Sequence, residues 1–232
     1  MRRVYLLLIA LNAVCAVAND TVNIDFDVTA EAAACTPGLS NNGVVDFNTR
    51  HAGSLSTTAF TQLGTRDLTL TIICESSTAI AITARDTRTA SVISGADDSG
   101  HVGARFQVND GQYVSELSRL FGLGLTAENK AIGSYAIQIN AAGVAATDGT
   151  RNVPVDVAGA ASQTGPWTQS SLLPLPTNQD YFYTFVQKGG LSPQPVNTVS
   201  IPLQVSATVA NKLNSSQMIK LDGEAVISIV YL

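Results

Sequence analysis

The stretch Ala225-Val-Ile-Ser-Ile-Val-Tyr-Leu232 closes the chain with apolar residues at alternate positions. A second stretch of this kind, Thr21-Val-Asn-Ile-Asp-Phe-Asp-Val28, lies near the start. Alternation with a period of two is typical of a β-strand that buries one face. We therefore predict a strand near each end of the processed chain. A strand at a sheet edge can pair with another chain, so this pattern favours assembly over catalysis.

Residues 1–18 have the features of a signal peptide. Arg2 and Arg3 supply positive charge, residues 5–11 form an apolar core, and Ala16-Val-Ala18 offers small residues for cleavage. The sequence therefore predicts export, with residues 19–232 as the mature protein.

The cysteines indicate one disulfide bond. Cys15 would be removed with the signal peptide, and the three residues before it make a poor lipid-attachment box, so lipidation is the weaker alternative. Cys35 and Cys74 remain, and an even number of cysteines in an exported protein predicts that they are bridged. In the chain-entropy model, closing a loop of this length stabilises a domain by about 3–4 kcal/mol.

The composition is typical of an exported β protein. Only 13% of residues are charged, 45% are hydrophobic and the formal net charge is −5. No basic patch with interleaved aromatic residues occurs, so we expect no nucleic-acid partner. No linker rich in Pro, Ser and Gly divides residues 19–232, which favours one large all-β domain.

Short strands separated by turn residues predict a sandwich or a barrel. The turn-forming stretch Thr36-Pro-Gly-Leu-Ser-Asn-Asn-Gly43 is predicted to be a cluster of turns. Pro202 interrupts an apolar run, which predicts an edge strand, a strand start or a bulge there. Residues 114–120 are the only candidate for a helical turn. Strands are predicted at residues 44–47, 67–74, 78–84, 135–140, 181–186, 199–209 and 226–232.

Patterns for metal binding and catalysis are weak. His51 and His101 have no partner at metal-ligand spacing, and Asp97-Asp98 lacks the spacing of a calcium loop, so we interpret it as a solvated turn. We expect no catalytic residue, no metal ligand and no cofactor.

Two patterns leave carbohydrate chemistry open. A secreted carbohydrate-active enzyme would need paired carboxylates in a cleft. Candidate aromatic residues for a sugar platform also occur, although lone aromatics of this kind more often fill a core. The carboxylates are Asp86, Asp148 and Asp156, and the aromatic residues are Trp167, Tyr181 and Tyr183.

Several segments together resemble the fimbrial-like proteins of the DUF1120 family, relatives of the β-fimbrial subunits that the chaperone/usher pathway assembles. The similarity covers nearly the whole mature chain. The segments are Cys35 to Ser40, the strand ending at Cys74, Arg85-Asp-Thr-Arg88-Thr-Ala-Ser91, Phe121-Gly-Leu-Gly124, Ile132-Gly-Ser-Tyr135, and Ile219-Lys-Leu-Asp-Gly223 with the closing strand.

The resemblance implies an incomplete immunoglobulin-like (pilin) β-sandwich that is completed by a donor strand. A periplasmic pilus chaperone would fill the open groove first. The N-terminal strand of a neighbouring pilus subunit would then replace the chaperone, with an outer-membrane usher as a further partner.

The resemblance also implies roles for the two alternating stretches. The donor segment would comprise about residues 19–30 and present Val22, Ile24, Phe26 and Val28 on its apolar face. The alternative is that this segment is simply the first strand of its own sheet. In the closing strand, the chaperone-facing residues would be Ala225, Ile227, Ile229 and Tyr231, with an ordinary core strand as the alternative.

The function implied is a non-enzymatic structural subunit of a surface fimbria that contributes to cell adhesion. One alternative is a tip adhesin that binds host surface glycans. A two-domain adhesin carries a receptor domain ahead of its pilin domain, whereas here the pilin-like pattern begins at Cys35. A secreted β-sandwich carbohydrate-active enzyme is the less favoured alternative.

Overall fold

The computed structural model describes residues 34–48, 54–107, 111–170, 172–213 and 220–232. The predicted signal peptide and the predicted donor residues Val22, Ile24, Phe26 and Val28 lie outside the described residues, so these assignments stay predictions. Within the described ranges, no helix is both long and apolar enough to cross a membrane.

The described residues form an all-β structure whose helical elements are short 3₁₀ turns. The strands are β1 (Cys35–Leu39), β2 (Thr61–Thr78), β3 (Ile80–Asp86), β4 (Ala104–Arg105), β5 (Tyr113–Val114), β6 (Phe121–Gly122), β7 (Gly133–Ile139), β8 (Ala145–Thr147), β9 (Asn152–Val153), β10 (Val155–Ala160), β11 (Thr168–Gln169), β12 (Phe182–Gln187), β13 (Val196–Val209) and β14 (Ala225–Tyr231).

The strands build two main sheets in which every pair is antiparallel. The first sheet has the order β1-β2-β13-β7-β6, with β8 beside β13 and β9 beside β8. The second sheet has the order β11-β10-β12-β3-β14, and β4 and β5 form a separate ribbon. Strands β1 and β14 thus each lie at the edge of a sheet.

The two sheets share one hydrophobic core. Leu70, Ile72 and Ile201 of the first sheet and Ile82 and Phe185 of the second are at most 2% exposed and belong to the same cluster. Two sheets that bury alternate residues against each other form a β-sandwich. The all-β prediction is therefore confirmed.

The prediction of a turn cluster from Thr36 to Gly43 is wrong for its first half. Strand β1 occupies Cys35–Leu39, and the turn is confined to Ser40–Gly43. Asn41, Asn42 and Gly43 have φ values of 50°, 53° and 76° there. Pro37 is compatible with a strand because β1 is an edge strand, where a missing N–H can point away from the sheet.

Strand β13 is central, although Pro202 predicted an edge, a strand start or a bulge. Pro202 pairs with Thr69 of β2 on one side. On the other side the neighbour changes, because β8 pairs only up to Ser200 and β7 pairs only from Leu203. Between Ser200 and Leu203 neither β7 nor β8 pairs with β13, so no backbone N–H is needed there. A proline therefore fits the middle of this central strand.

Candidate functional site

A groove lies between the edge strands β1 and β14. Its volume is about 550 Å³, and it is open to solvent. One wall is formed by β1 and residues 43–47, and the other by residues 221–227. The floor is apolar and consists of Leu68, Leu70, Leu123, Tyr135, Ile137 and Val205. We call this feature the strand groove.

The side chains of β14 alternate between the two faces of the second sheet. Ala225, Ile227 and Ile229 pack against the main core and are only partly buried. Val230 packs instead against a smaller cluster on the other face. The apolar face of β14 therefore remains partly uncovered along the strand groove.

The backbone of β14 has one open edge. The carbonyl of Glu224 accepts the N–H of Thr87, and the N–H of Leu232 donates to the carbonyl of Ala79, so both residues point toward β3. Backbone groups alternate in direction along an antiparallel strand. The N–H and C=O groups that point away from β3 consequently belong to Ala225, Ile227, Ile229 and Tyr231.

These are the four residues that the resemblance assigns to the chaperone-facing edge. The structure places their backbone groups along one unpaired edge of the described sheet. The side chains of Ala225 and Ile227 line the strand groove, and the hydroxyl of Tyr231 accepts the N–H of Cys35 at 2.9 Å.

The disulfide anchors the opposite wall. Cys35 and Cys74 are bonded, with their α-carbons 3.9 Å apart, and face each other across β1 and β2. The predicted disulfide is thus present. The N–H of Cys35 points toward Tyr231 and away from β2, so by alternation the nitrogen of Pro37 also points away from β2. Proline has no N–H, which leaves the open edge of β1 poor in donors compared with that of β14.

The motif Phe121-Gly-Leu-Gly124 supports the floor of the strand groove. The N–H of Gly122 donates to Asp86 Oδ2 and that of Gly124 to Ser91 Oγ, both at 2.9 Å. A Cβ on Gly122 would collide with Ser91 Oγ and the carbonyl of Arg88. Glycine is therefore required by the close approach of the two backbones.

A charged cluster holds the start of β14. Arg88 Nε lies 3.2 Å from Asp222 Oδ2, and Arg88 Nη1 lies 3.2 Å from Glu224 Oε2. The hydrogen bond to Asp222, followed by its charge, raises the pKa of Arg88. Gly223 lies between the two acids, and a Cβ there would come 2.7 Å from Tyr135 Cε1. The ion pairs and the close approach at Gly223 together hold residues 222–224 against the floor of the strand groove.

The three candidate carboxylates bind backbone groups. Asp86 accepts the N–H groups of Arg88 and Gly122, and Asp148 accepts those of Thr150 and Arg151. Asp156 Oδ2 accepts the N–H of Gly189 at 2.8 Å, and this bond is the main reason why the pKa of Asp156 is lowered. Each of the three carboxylates therefore has a structural role, because it holds nearby backbone N–H groups in place.

The aromatic candidates separate into two places. Trp167 is 8% exposed and packs in a cluster with Ala158 and Phe182. Tyr181 and Tyr183 lie elsewhere, with ring centroids 5.2 Å apart. Tyr181 and Tyr183 therefore lie together, whereas Trp167 packs in a different cluster.

The resemblance implied an open groove, but sequence reasoning did not predict which residues line it. Its two walls come from opposite ends of the described chain, and its floor comes from β2, β7, β13 and Leu123, which follows β6. The alternating pattern of β14 was the available signal for one wall. The other wall contains Pro37 and Gly38, residue types that favour turns, so sequence reasoning predicted turns in place of β1.

Comparisons with known proteins place the chain in a family. The family described as "Protein of unknown function (DUF1120)" matches residues 26–136. The chain is 50% identical over 227 residues to "Uncharacterized protein YhcF" of Escherichia coli strain K12, which covers 96% of this chain and 95% of that protein. It is 30% identical over 246 residues to "Protein GltF" of the same strain, which covers 97% and 94% respectively. The chain therefore belongs to the DUF1120 family.

Proposed function

We propose that this protein is a structural subunit of a surface fimbria, polymerises by donor-strand exchange and contributes to cell adhesion. The observation that carries the proposal is the strand groove. An open backbone edge on β14 lies directly beside an uncovered apolar floor. In strand addition, main-chain hydrogen bonds provide affinity and pockets for alternate side chains provide register.

The proposed occupant is the N-terminal segment of a second subunit. Strand β14 has seven residues, so its open edge is about 23 Å long at roughly 3.3 Å per residue. The segment from Thr21 to Val28 would extend over about 26 Å by the same measure. Its apolar residues at every second position suit a floor that is apolar, and its Asn and Asp residues would face water.

The exposed apolar floor of the strand groove supports the proposal that a partner covers it during export. Contiguous apolar surface is unfavourable to leave in water and commonly marks an interaction site. Under this proposal the sandwich is an incomplete immunoglobulin-like pilin domain. A periplasmic chaperone covers β14 first, an outer-membrane usher receives the complex, and the next subunit then supplies the missing strand.

Two complementary variants of the mature chain test the proposal. Phe26→Asp disables the donor segment, since it places a carboxylate among apolar groups with no partner. Ile227→Asp disables the strand groove in the same way. Each variant has one functional half, so each alone should be monomeric after refolding. An equimolar mixture refolded together should form heterodimers, and the wild-type chain should form longer polymers.

Light scattering after size-exclusion chromatography measures these species. Circular dichroism of each variant checks that it has folded. Polymers of either variant alone would contradict the proposal. A mixture of two folded variants that stayed monomeric would contradict it as well.

A further inference from the structure

A second pocket, of about 300 Å³, shares no lining residue with the strand groove. One side is formed by β5 and the residues that follow it, Ser115 and Glu116. The other sides are formed by Ser170, Leu172 and Pro174 and by the start of β12. Three tyrosines line it, at positions 113, 181 and 183. We call it the tyrosine pocket.

Arg119 is a cation in this pocket without an anionic partner among the described residues. Its guanidinium lies over the ring of Tyr181, 4.8 Å from the centroid. Among the described residues it has no ion pair, and its buried Nη1 has no hydrogen-bond partner. Arg119 as a whole is half-buried and lines the pocket, so its unpaired charge can attract a carboxylate that enters.

The frame of the tyrosine pocket is preformed. The hydroxyl of Tyr183 donates to the carbonyl of Pro174 at 2.8 Å. Burial raises the pKa of Tyr183, so this hydroxyl stays protonated and keeps donating. The N–H of Arg119 donates to the carbonyl of Glu116 at 2.9 Å, which fixes the turn that carries both charges. A preformed frame lowers the ordering cost of binding.

The lining specifies the chemistry of a ligand. Guanidinium N–H groups match the two oxygens of a carboxylate. Glu116 is exposed and offers only acceptors, which suits the hydroxyl groups of a ligand. Ser115 and Tyr113 add hydroxyls that both donate and accept. A ligand that carries a carboxylate and several hydroxyls satisfies the whole set, whereas a multiply charged anion would be repelled by Glu116.

We propose that the tyrosine pocket binds an acidic sugar residue of a glycan, with its carboxylate on Arg119 and its hydroxyls on Glu116 and the neighbouring hydroxyl groups. The pocket lies outside the strand groove, so it stays open when that groove is filled. A polymer of such subunits would present the pocket repeatedly along its length.

The experiment measures binding of four probes to the mature wild-type protein by isothermal titration calorimetry. They are glucuronic acid, its methyl glycoside, glucuronamide and glucose. We expect both acids to bind with similar millimolar dissociation constants, and both neutral sugars to bind at least tenfold more weakly. Glucuronamide tests the carboxylate alone, because it retains the hydroxyls. The methyl glycoside represents a residue linked in a glycan.

Two arginine variants locate the site. Arg119→Gln should weaken binding of both acids at least tenfold and leave the weak binding of glucose unchanged. Arg151→Gln is the matched control, since Arg151 is exposed and does not line the pocket, and it should bind like the wild type. Chemical-shift changes on adding glucuronic acid to the wild type should fall on Tyr113, Arg119 and Tyr181, which tests the site without a variant.

Several results would overturn the proposal. Equal affinities for glucuronic acid and glucose would show that the carboxylate of the ligand does not contribute to binding. Unchanged binding of the acids by folded Arg119→Gln would show that they do not bind in the tyrosine pocket. Chemical-shift changes confined to other residues would show the same. If glucuronic acid bound and its methyl glycoside did not, a residue linked in a glycan would be excluded as the ligand. If neither acid bound, the proposal would be wrong. None of these results bears on strand exchange, which depends on other residues.

Discussion

Asp97 lies in the loop between β3 and β4 and accepts hydrogen bonds from the backbone N–H groups of Phe60, Ser99 and His101, each at 2.9 Å. Its side chain is 2% exposed, although the sequence predicted a solvated turn. Burial by itself would raise the pKa of Asp97. The three N–H donors and the nearby imidazole of His101 outweigh that effect, so the pKa of Asp97 is lowered.

The lowered pKa predicts a pH-dependent contribution to stability. A carboxyl whose folded pKa lies below its unfolded value stabilises the fold above the unfolded pKa of about 3.9. That contribution is lost as the pH falls through the folded pKa. We therefore expect Asp97→Asn to lower the urea midpoint at pH 7, and the difference from wild type to shrink below about pH 4. A difference that stayed constant from pH 7 to pH 2.5 would contradict this account.

Replacing both disulfide cysteines with serine should destabilise the domain. The bond between Cys35 and Cys74 ties the edge strand β1 to β2, and closing a loop of this length is worth about 3–4 kcal/mol in the chain-entropy model. Urea unfolding of the double variant, followed by tryptophan fluorescence, measures the loss. The wild-type protein with reductant present throughout is the control and should show the same loss. Equal midpoints for the oxidised protein and the double variant would exclude a structural role.

Gly122→Ala should destabilise the fold by about 1–3 kcal/mol, the usual range for overpacking. The added methyl would meet Ser91 Oγ and the carbonyl of Arg88. Gly38→Ala is the matched control, because the nearest atom to a Cβ there is the carbonyl oxygen of Thr71 at 4.0 Å. Thermal unfolding compares the two variants. Equal melting temperatures would show that the backbone approach at Gly122 is not tight.

At the scale of elements, β14 combines two properties that rarely occur together at a sheet edge. It is apolar on the face that meets the core, and its backbone has an open side. Natural proteins usually protect such edges with charges, bulges or covering segments. The described part of the chain offers no covering segment along the groove side of β14, and the proposed strand exchange rests on this open edge.

Shortening β14 should therefore remove strand acceptance. We expect deletion of residues 229–232 to abolish binding of a peptide with the sequence of residues 19–30, because half of the open edge is lost. Tyr231→Phe is the mild counterpart. It removes only the hydroxyl that accepts the N–H of Cys35, so it should cost about 1 kcal/mol or less and retain peptide binding.

Fluorescence anisotropy of the labelled peptide measures both variants of β14. Circular dichroism shows whether the shortened chain is folded. Peptide binding by the shortened chain as strong as that of wild type would contradict the role of this edge.

At the scale of the whole molecule, assembly requires a donor and an acceptor on the same chain. Deletion of residues 19–28 should leave a subunit that still folds with a chaperone but cannot extend a polymer. Within the proposed donor segment, fully burying Phe26 would contribute about 2–3 kcal/mol from apolar area. Phe26→Asp should therefore block polymerisation, whereas Asp25→Asn and Asp27→Asn should have little effect. Electron microscopy of purified subunits counts the fibres. Fibres from Phe26→Asp but not from the two Asn variants would show that the facing of the segment is inverted.

Some features of the molecule depend on local patterns, and these could be read from the sequence. The all-β class follows from alternation in segments such as residues 226–232. The disulfide was predicted from two cysteines that remain after a predicted signal peptide. Strand β14 was predicted because its alternating side-chain period is a local property of the sequence.

Other features depend on which strands become neighbours, and only the tertiary structure decided them. Pro37 lies in a strand because β1 is an edge, and Pro202 lies in a central strand because its neighbour changes from β8 to β7 at that point. Arg119 faces a pocket because Ser170, Leu172, Pro174 and the start of β12 lie beside it. These contacts join segments far apart in the chain, and local periodicity carries no information about distant partners.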